Sequence, residues 1–170
     1  MSIHKTKLNK KVNHIIKDEG NPILLVGKTF GHLYQSVFFE EIYSINEGPP
    51  PEINLFNEKN NGEFVLELIK HDLVRSVHDI SSGGLIVGLA EMCMGSDYGI
   101  KIERPKKLNN LFEYFYGEDQ GRYIIEIDKK NLDQVMKILD EDKIYYENIG
   151  KTQKKYFEVV GELNININDL

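Results

Sequence analysis

A chain of 170 residues is the length of one domain and long enough to bury a sizeable core. Hydrophobic residues make up 41% of it and the formal net charge is -6. This excludes wholesale disorder and argues against a nucleic-acid partner, which needs a basic face. No apolar run approaches membrane-span length, and the polar, basic start has no signal-peptide core, so the cytoplasm is expected.

In chain order, Met1 to Lys11 holds four lysines and reads as a flexible leader, with residues 12–170 as one domain after it. Val12 to Asp18 reads as a short helix or the end of a linker. Ile23 to Val26 is a buried strand, opened by Asn21-Pro22 and closed by Gly27. Leu33 to Ser44 is a predicted helix, with Leu33, Val37, Phe38 and Ile42 on one face. Gly48-Pro49-Pro50-Pro51 is a stiff connector, because three prolines fix φ and remove three donors. Asn54 to His71 is helical, either as two helices meeting at Asn60-Asn61-Gly62 or as one that tolerates the glycine.

Leu73 to Val77 reads as a short buried strand. The polar turn Asp79 to Gly84 follows, and then a helix with Leu85, Ile86, Leu89, Ala90 and Cys93 at helical spacing. The lone cysteine sits on that apolar face and reads as packing. Ile100 to Glu103 alternates as a half-exposed strand does. Asn109 or Asn110 caps a short helix bearing Leu111, Phe112 and Phe115. Gly117 to Gly121 is a loop and Tyr123 to Asp128 a strand. Asn131 to Asp140 is an amphipathic helix with Leu132, Val135, Met136 and Leu139 inward. Tyr145 to Thr152 and Tyr156 to Leu163 close the chain as two strands. Helices alternating with strands, with a hairpin-like end, indicate an α+β fold, a mixed-sheet α/β domain with flanking helices.

Three stretches invite chemistry. The turn Asp79 to Gly84 offers Ser81 or Ser82 as a helix cap and the close-approaching amides of Gly83 and Gly84 at the positive end of a helix dipole. Such a junction suits a weakly held anion and equally suits ordinary helix initiation. His78 beside Asp79 suits proton relay or, with further ligands, a metal. Against that stands simple hydrogen bonding within the fold, and no second histidine lies at ligand spacing. Glu118, Asp119 and Gln120, with Arg122, form a polar cluster in a glycine-flanked loop. It suits a sugar, a metal-bridged phosphate or a partner, and also a solvated turn. Gly27-Lys28-Thr29 is not a P-loop, since the glycine required five residues earlier is Pro22. No nucleophilic triad can be assembled, and no catalytic or metal-ligating residue is assigned to this chain.

His-Asp-Ile-Ser-Ser-Gly-Gly-Leu at 78–85 with Ala90-Glu91-Met92 resembles the C-terminal part of phosphoribosylformylglycinamidine synthase, of the aminoimidazole ribonucleotide synthetase superfamily. Ile23 to Gly27 with Gly31-His32-Leu33 and Gln35-Ser36, then Gly48 to Pro51, then Gly117 to Tyr123 extend the resemblance in order. The family usually carries Asp where this chain has Ser82, so a carboxylate is missing there. The resemblance implies the superfamily's C-terminal-domain fold, a mixed sheet flanked by helices. It also implies part of a purine-biosynthesis ligase that converts formylglycinamide ribonucleotide, ATP and glutamine-derived ammonia to formylglycinamidine ribonucleotide. ATP and magnesium belong to the parent enzyme, and this chain is expected to be inactive alone. Asp79, Ser81, Gly83, Gly84, Glu118, Asp119 and Gln120 are the implied substrate- or nucleotide-binding positions. The expected partners are the ATP-binding domain and, through the whole enzyme, a glutaminase subunit. The competing expectations are a non-catalytic interaction module, or a relative such as selenophosphate synthetase or thiamine phosphate kinase. Aromatic residues Phe30, Tyr34, Phe112, Tyr114 and Tyr116 are expected to leave an exposed patch that promotes dimers or larger species.

Overall fold

The structure, a computed structural model, describes residues 11–105 and 110–170. The leader, except Lys11, lies outside the described residues, as does Asn109. Seven strands form one sheet: β1 (Pro22–Val26), β2 (Ser76–Asp79), β3 (Tyr98–Ile102), β4 (Tyr123–Glu126), β5 (Tyr146–Lys154), β6 (Tyr156–Val159) and β7 (Leu163–Asn166). Their spatial order is β2-β4-β1-β5-β3-β6-β7. Every neighbouring pair is antiparallel except β3 with β6, which makes the sheet mixed. The α+β reading of the sequence holds.

An inner strand, β1, explains the layering. All five residues of β1 are buried, because side chains alternate between two covered faces. Ile23 and Leu25 face one core, with Leu85, Leu89 and Met92 of α3 (Gly84–Cys93) and Tyr114 and Phe115 of α4 (Leu111–Tyr116). Leu24 and Val26 face the other, with Phe64, Val65 and Leu68 of α2 (Leu55–Lys70) and Val135 and Leu139 of α5 (Leu132–Glu141). Each fully buried aliphatic side chain contributes about 1.5–3 kcal/mol. A one-residue slip of β1 would exchange the two sets.

Segment 54–71 forms a single helix. Asn54 caps α2, its Oδ1 accepting from the Asn57 N–H at 3.0 Å, and the helix runs unbroken through Gly62. A Cβ at Gly62 would come within 3.3 Å of the Tyr123 hydroxyl, so the glycine lets α2 approach the sheet. Helix α1 (Val37–Tyr43) is shorter than the sequence suggests. Ser36 caps it, its Oγ accepting from the Phe39 N–H at 3.2 Å, and Leu33 stays outside. Only Phe38 of its apolar residues is buried, while Val37 and Ile42 face solvent. Strand β2 begins at Ser76, with the buried Leu73 and Val74 in the connection before it. Segment 12–18 forms no helix, yet Ile16 is buried and its N–H donates to the Met92 carbonyl at 3.0 Å. The last apolar run divides into β6 and β7. Leu132 and Met136 of α5 are only partly buried.

A buried carboxylate ties the edge of this sheet together. Glu126, with no exposed surface, accepts from the Asn21 side-chain amide and the Ser76 hydroxyl, both at 2.8 Å. It also accepts from the backbone N–H groups of Lys17 (3.1 Å) and Asp18 (3.3 Å). A charged group without exposure persists only when its lone pairs are satisfied in this way.

Candidate functional site

Register places the sequence-flagged loops at one end of the sheet. Tyr123 pairs with both Val26 and Asp79, and Val26 also pairs with Tyr146. The loops after β1 and β2 and those before β4 and β5 therefore meet there. All seven candidate positions lie in these loops or at their borders.

Within that end the carboxylates of the Gly117–Gly121 loop are turned inward. Asp119, 5% exposed, accepts from three successive backbone N–H groups: Phe30 and Gly31 at 2.9 Å each, and His32 at 3.2 Å. Glu118 accepts from the N–H of Val37 at the start of α1 and from the N–H of Gly83 at the start of α3, both at 2.8 Å. Its own N–H donates to the His32 carbonyl at 2.9 Å. One short loop thus fastens the 29–37 segment and the 81–84 turn to each other. The sequence puts Ser81 or Ser82 at the cap of α3. The cap is instead Gly83, at φ +81°, with no side-chain cap bond, and both serines are exposed. The reason is electrostatic: Glu118 brings a full charge to the positive end of the helix, where a serine brings only a dipole. The Gly84 N–H donates to the Ser81 carbonyl at 3.1 Å, so both glycine amides of the turn are used within the chain.

Arg122 is the residue that reading the sequence undervalued. It is 1% exposed and donates to the Gly117 carbonyl at 2.5 Å, the Thr29 hydroxyl at 3.1 Å and the Asp119 carbonyl at 3.4 Å. Burial pulls its guanidinium below the usual arginine range, and the Asp119 carboxylate 3.9 Å away opposes that. The signal was legible as Gly-Glu-Asp-Gln-Gly-Arg. What no spacing rule reveals is that the arginine folds back under its own loop.

Three candidates remain on the outside. Asp79, Ser81 and Gln120 are exposed. Gln120 lines a cleft of about 410 Å³ with Lys28, Asn57, Asn60, Lys143 and Tyr145. The Lys28 ammonium lies 5.1 Å from the centre of the Phe30 ring. His78 does not pair with the Asp79 carboxylate, since neighbours on a strand point to opposite faces. Its Nε2 meets Glu91 of α3 at 2.9 Å, and its Nδ1 meets the Asp79 carbonyl at 2.5 Å. Among the described residues no three His, Cys, Asp or Glu side chains converge as metal ligands. Nor is any helix among them long and apolar enough to cross a membrane.

Residues 18–161 match the family described as AIR synthase related protein, C-terminal domain, and the chain belongs to that family. Among curated relatives, phosphoribosylformylglycinamidine synthase subunit PurL of Pelagibacter ubique is 44% identical over 155 residues, covering 91% of this chain and 21% of that protein. The subunit of the same name from Methylocella silvestris is 39% identical over 151 residues, covering 89% and 20%. The chain spans about a fifth of the length of the curated relatives it matches. Among solved structures, Thermotoga maritima PurL complexed with FGAR superposes with a TM-score of 0.77 at 15% identity, over 92% of this chain and 29% of that one. The hydrogenase maturation protein HypE superposes with a TM-score of 0.58 at 12% identity, over 94% and 56%. At those identities the likeness is one of fold.

Proposed function

We propose that residues 12–170 form the C-terminal AIR-synthase-type domain of a cytoplasmic phosphoribosylformylglycinamidine synthase. In this reading they support the conversion of formylglycinamide ribonucleotide, ATP and ammonia from glutamine to formylglycinamidine ribonucleotide. The carrying observation is the 44% identity over 155 residues to a subunit of that name. Two cores flanking one sheet favour treating residues 12–170 as one unit.

The geometry divides the candidate residues by role. Glu118, Asp119, Gly83 and Gly84 hold the loops in place, because their carboxylates and amides are engaged within the chain. Asp79, Ser81 and Gln120 are left to meet substrate or nucleotide. This chain's donor set does not by itself fit magnesium-ATP. The loop's two carboxylates are committed to backbone N–H groups, and the start of α3, where a phosphate would lie, already holds Glu118. The nucleotide and its metal are assigned to the ATP-binding domain of the parent enzyme, and ammonia to a glutaminase subunit.

The test is a chimera in which this chain replaces the matching segment of the Pelagibacter ubique relative. With ATP, magnesium and ammonia the chimera should form formylglycinamidine ribonucleotide, and the 170-residue chain should not. A folded but inert chimera, or magnesium-dependent ATP turnover by the chain alone, would refute the reading.

A further inference from the structure

Strand β2 and helix α3, on either side of the 79–84 turn, are joined by one side chain, His78. It pairs across the sheet with Ile124, on the face that α3 covers, and its side chain is 15% exposed. Gly88 of α3 makes room for it. A Cβ there would lie 3.0 Å from the Ile124 side chain and 3.8 Å from the His78 Nδ1. Held in that gap, the ring meets two groups. Nδ1 lies 2.5 Å from the carbonyl of Asp79, which opens the turn, and Nε2 lies 2.9 Å from the Glu91 carboxylate, two turns into α3.

Both partners are acceptors. A carbonyl oxygen and an ionised carboxylate each require a donor, and a neutral imidazole has one N–H and one lone pair. A neutral ring therefore turns a lone pair on one of the two oxygens, whichever tautomer it adopts. Only the imidazolium donates from both nitrogens, and its charge strengthens both bonds. The titratable groups that face the ring are Glu91 from α3 and His14 from the segment before β1, whose ring lies edge-on with centroids 5.3 Å apart. Strand β4 presents Ile124. Asp79 contributes its carbonyl and turns its carboxylate to the opposite face.

We propose that His78 is the positioning residue of the 79–84 turn and that it acts as an imidazolium. It fastens the turn's first carbonyl to the following helix, as Glu118 fastens the far end of the turn through the Gly83 N–H. The two clamps bracket Asp79 and Ser81, and the bearing on ligand rests on the function proposed above. When the ring loses its second proton, one of its contacts becomes a lone pair against an oxygen, and the entry to the turn loosens. Glu91→Gln breaks this link to pH without breaking the clamp. The glutamine amide can donate to Nε2, so a neutral ring with its proton on Nδ1 satisfies both partners.

Nuclear magnetic resonance on the 170-residue chain tests this, in a His14→Gln background so that the neighbouring ring adds no titration of its own. Toward low pH, within the folded range, both ring nitrogens of His78 should carry protons. The amide signals of Ile80 to Gly84 should move with the same midpoint as the ring. Above that midpoint, exchange protection of the Gly83 and Gly84 amides should be about tenfold or more lower than in Glu91→Gln at the same pH. Over the range in which the parent's turn signals move, those of Glu91→Gln should stay still, with the ring proton on Nδ1. Turn signals that ignore the ring, equal protection in the two chains, or the same movement in Glu91→Gln would overturn the proposal. Coupling in the chain beside an inert chimera would sink the functional reading and keep the clamp; an active chimera with no coupling would do the reverse.

Discussion

Replacing Asp119 with alanine should destabilise the fold heavily, although it removes a residue first read as a ligand contact. The carboxylate holds three backbone N–H groups at 2.9, 2.9 and 3.2 Å and lies beside a guanidinium that is 1% exposed. Hydrogen bonds to a charged group are worth about 1.5–3 kcal/mol each, and stripping a buried charge of its partner costs about 3–5 kcal/mol. These sums do not simply add. Phe30 is 71% exposed, so the 29–32 segment can swing into water and recover solvation, which caps the loss. We expect about 3–4 kcal/mol for Asp119→Ala, a large share of the roughly 5–15 kcal/mol of a typical domain. Asp119→Asn keeps one acceptor oxygen and should lose about 1–2 kcal/mol. In urea, with a slope near 2 kcal/mol per molar, the alanine midpoint should fall by about 1.5–2 M. Hydrogen exchange should show the Gly31 and His32 amides losing protection first. An alanine variant within about 1 kcal/mol of the parent chain would refute the view that this carboxylate is a structural lock.

Gly84→Ala should cost about 3 kcal/mol or more, because the residue sits at φ +71° and a Cβ would lie 2.7–2.8 Å from backbone atoms of Phe115, Tyr116 and Gly117; urea unfolding measures it. Gln120→Ala and Asp79→Asn, both on exposed residues, should leave stability within about 0.5 kcal/mol while lowering kcat/KM of the chimera by about tenfold or more. Unchanged kinetics in both would remove these residues from the site. Stability should fall at alkaline pH. Burial pushes the Cys93 thiol up to about 12, and burial together with the Glu147 charge pushes the Tyr114 phenol up. The folded chain keeps protons that the unfolded chain releases. The contribution is complete below about pH 9 and is lost as pH rises toward the folded values, at about 1.4 kcal/mol per pH unit for each group. Urea midpoints at pH 8 and pH 10.5 check this, and a higher midpoint at pH 10.5 would contradict it.

The exposed aromatics show where reading the chain stops. Phe30, Tyr34 and Phe112 are exposed as the sequence suggested, but Tyr114 from the same group is 3% exposed, its hydroxyl 3.1 Å from Glu147. Helical spacing says which residues share a face, and it does not say which of two neighbouring faces meets the sheet. Asp119 and Gln120 differ in the same way. Adjacent in the loop and alike in polarity, one closes onto three amides from a segment nearly ninety positions earlier and the other faces solvent.

What the sequence determined alone was whatever local periodicity and local chemistry encode. The buried run at 23–26, the helical character of 54–71, the amphipathic α5 and the alternating β3 all follow from side-chain pattern, while the continuity of α2 through Gly62 was left to the structure. Four motif blocks in order were enough to suggest the family. The tertiary structure decided everything that depends on distant partners: the strand order, the capping of α3 by Glu118 instead of a neighbouring serine, and the inward turn of Asp119 over Arg122. The buried Glu126, which gathers residues from 17 to 76, belongs with these. The physical reason is that a carboxylate's role is set by which unpaired N–H groups surround it. Those groups are brought to it by chain segments dozens of residues away, so no window of sequence contains them.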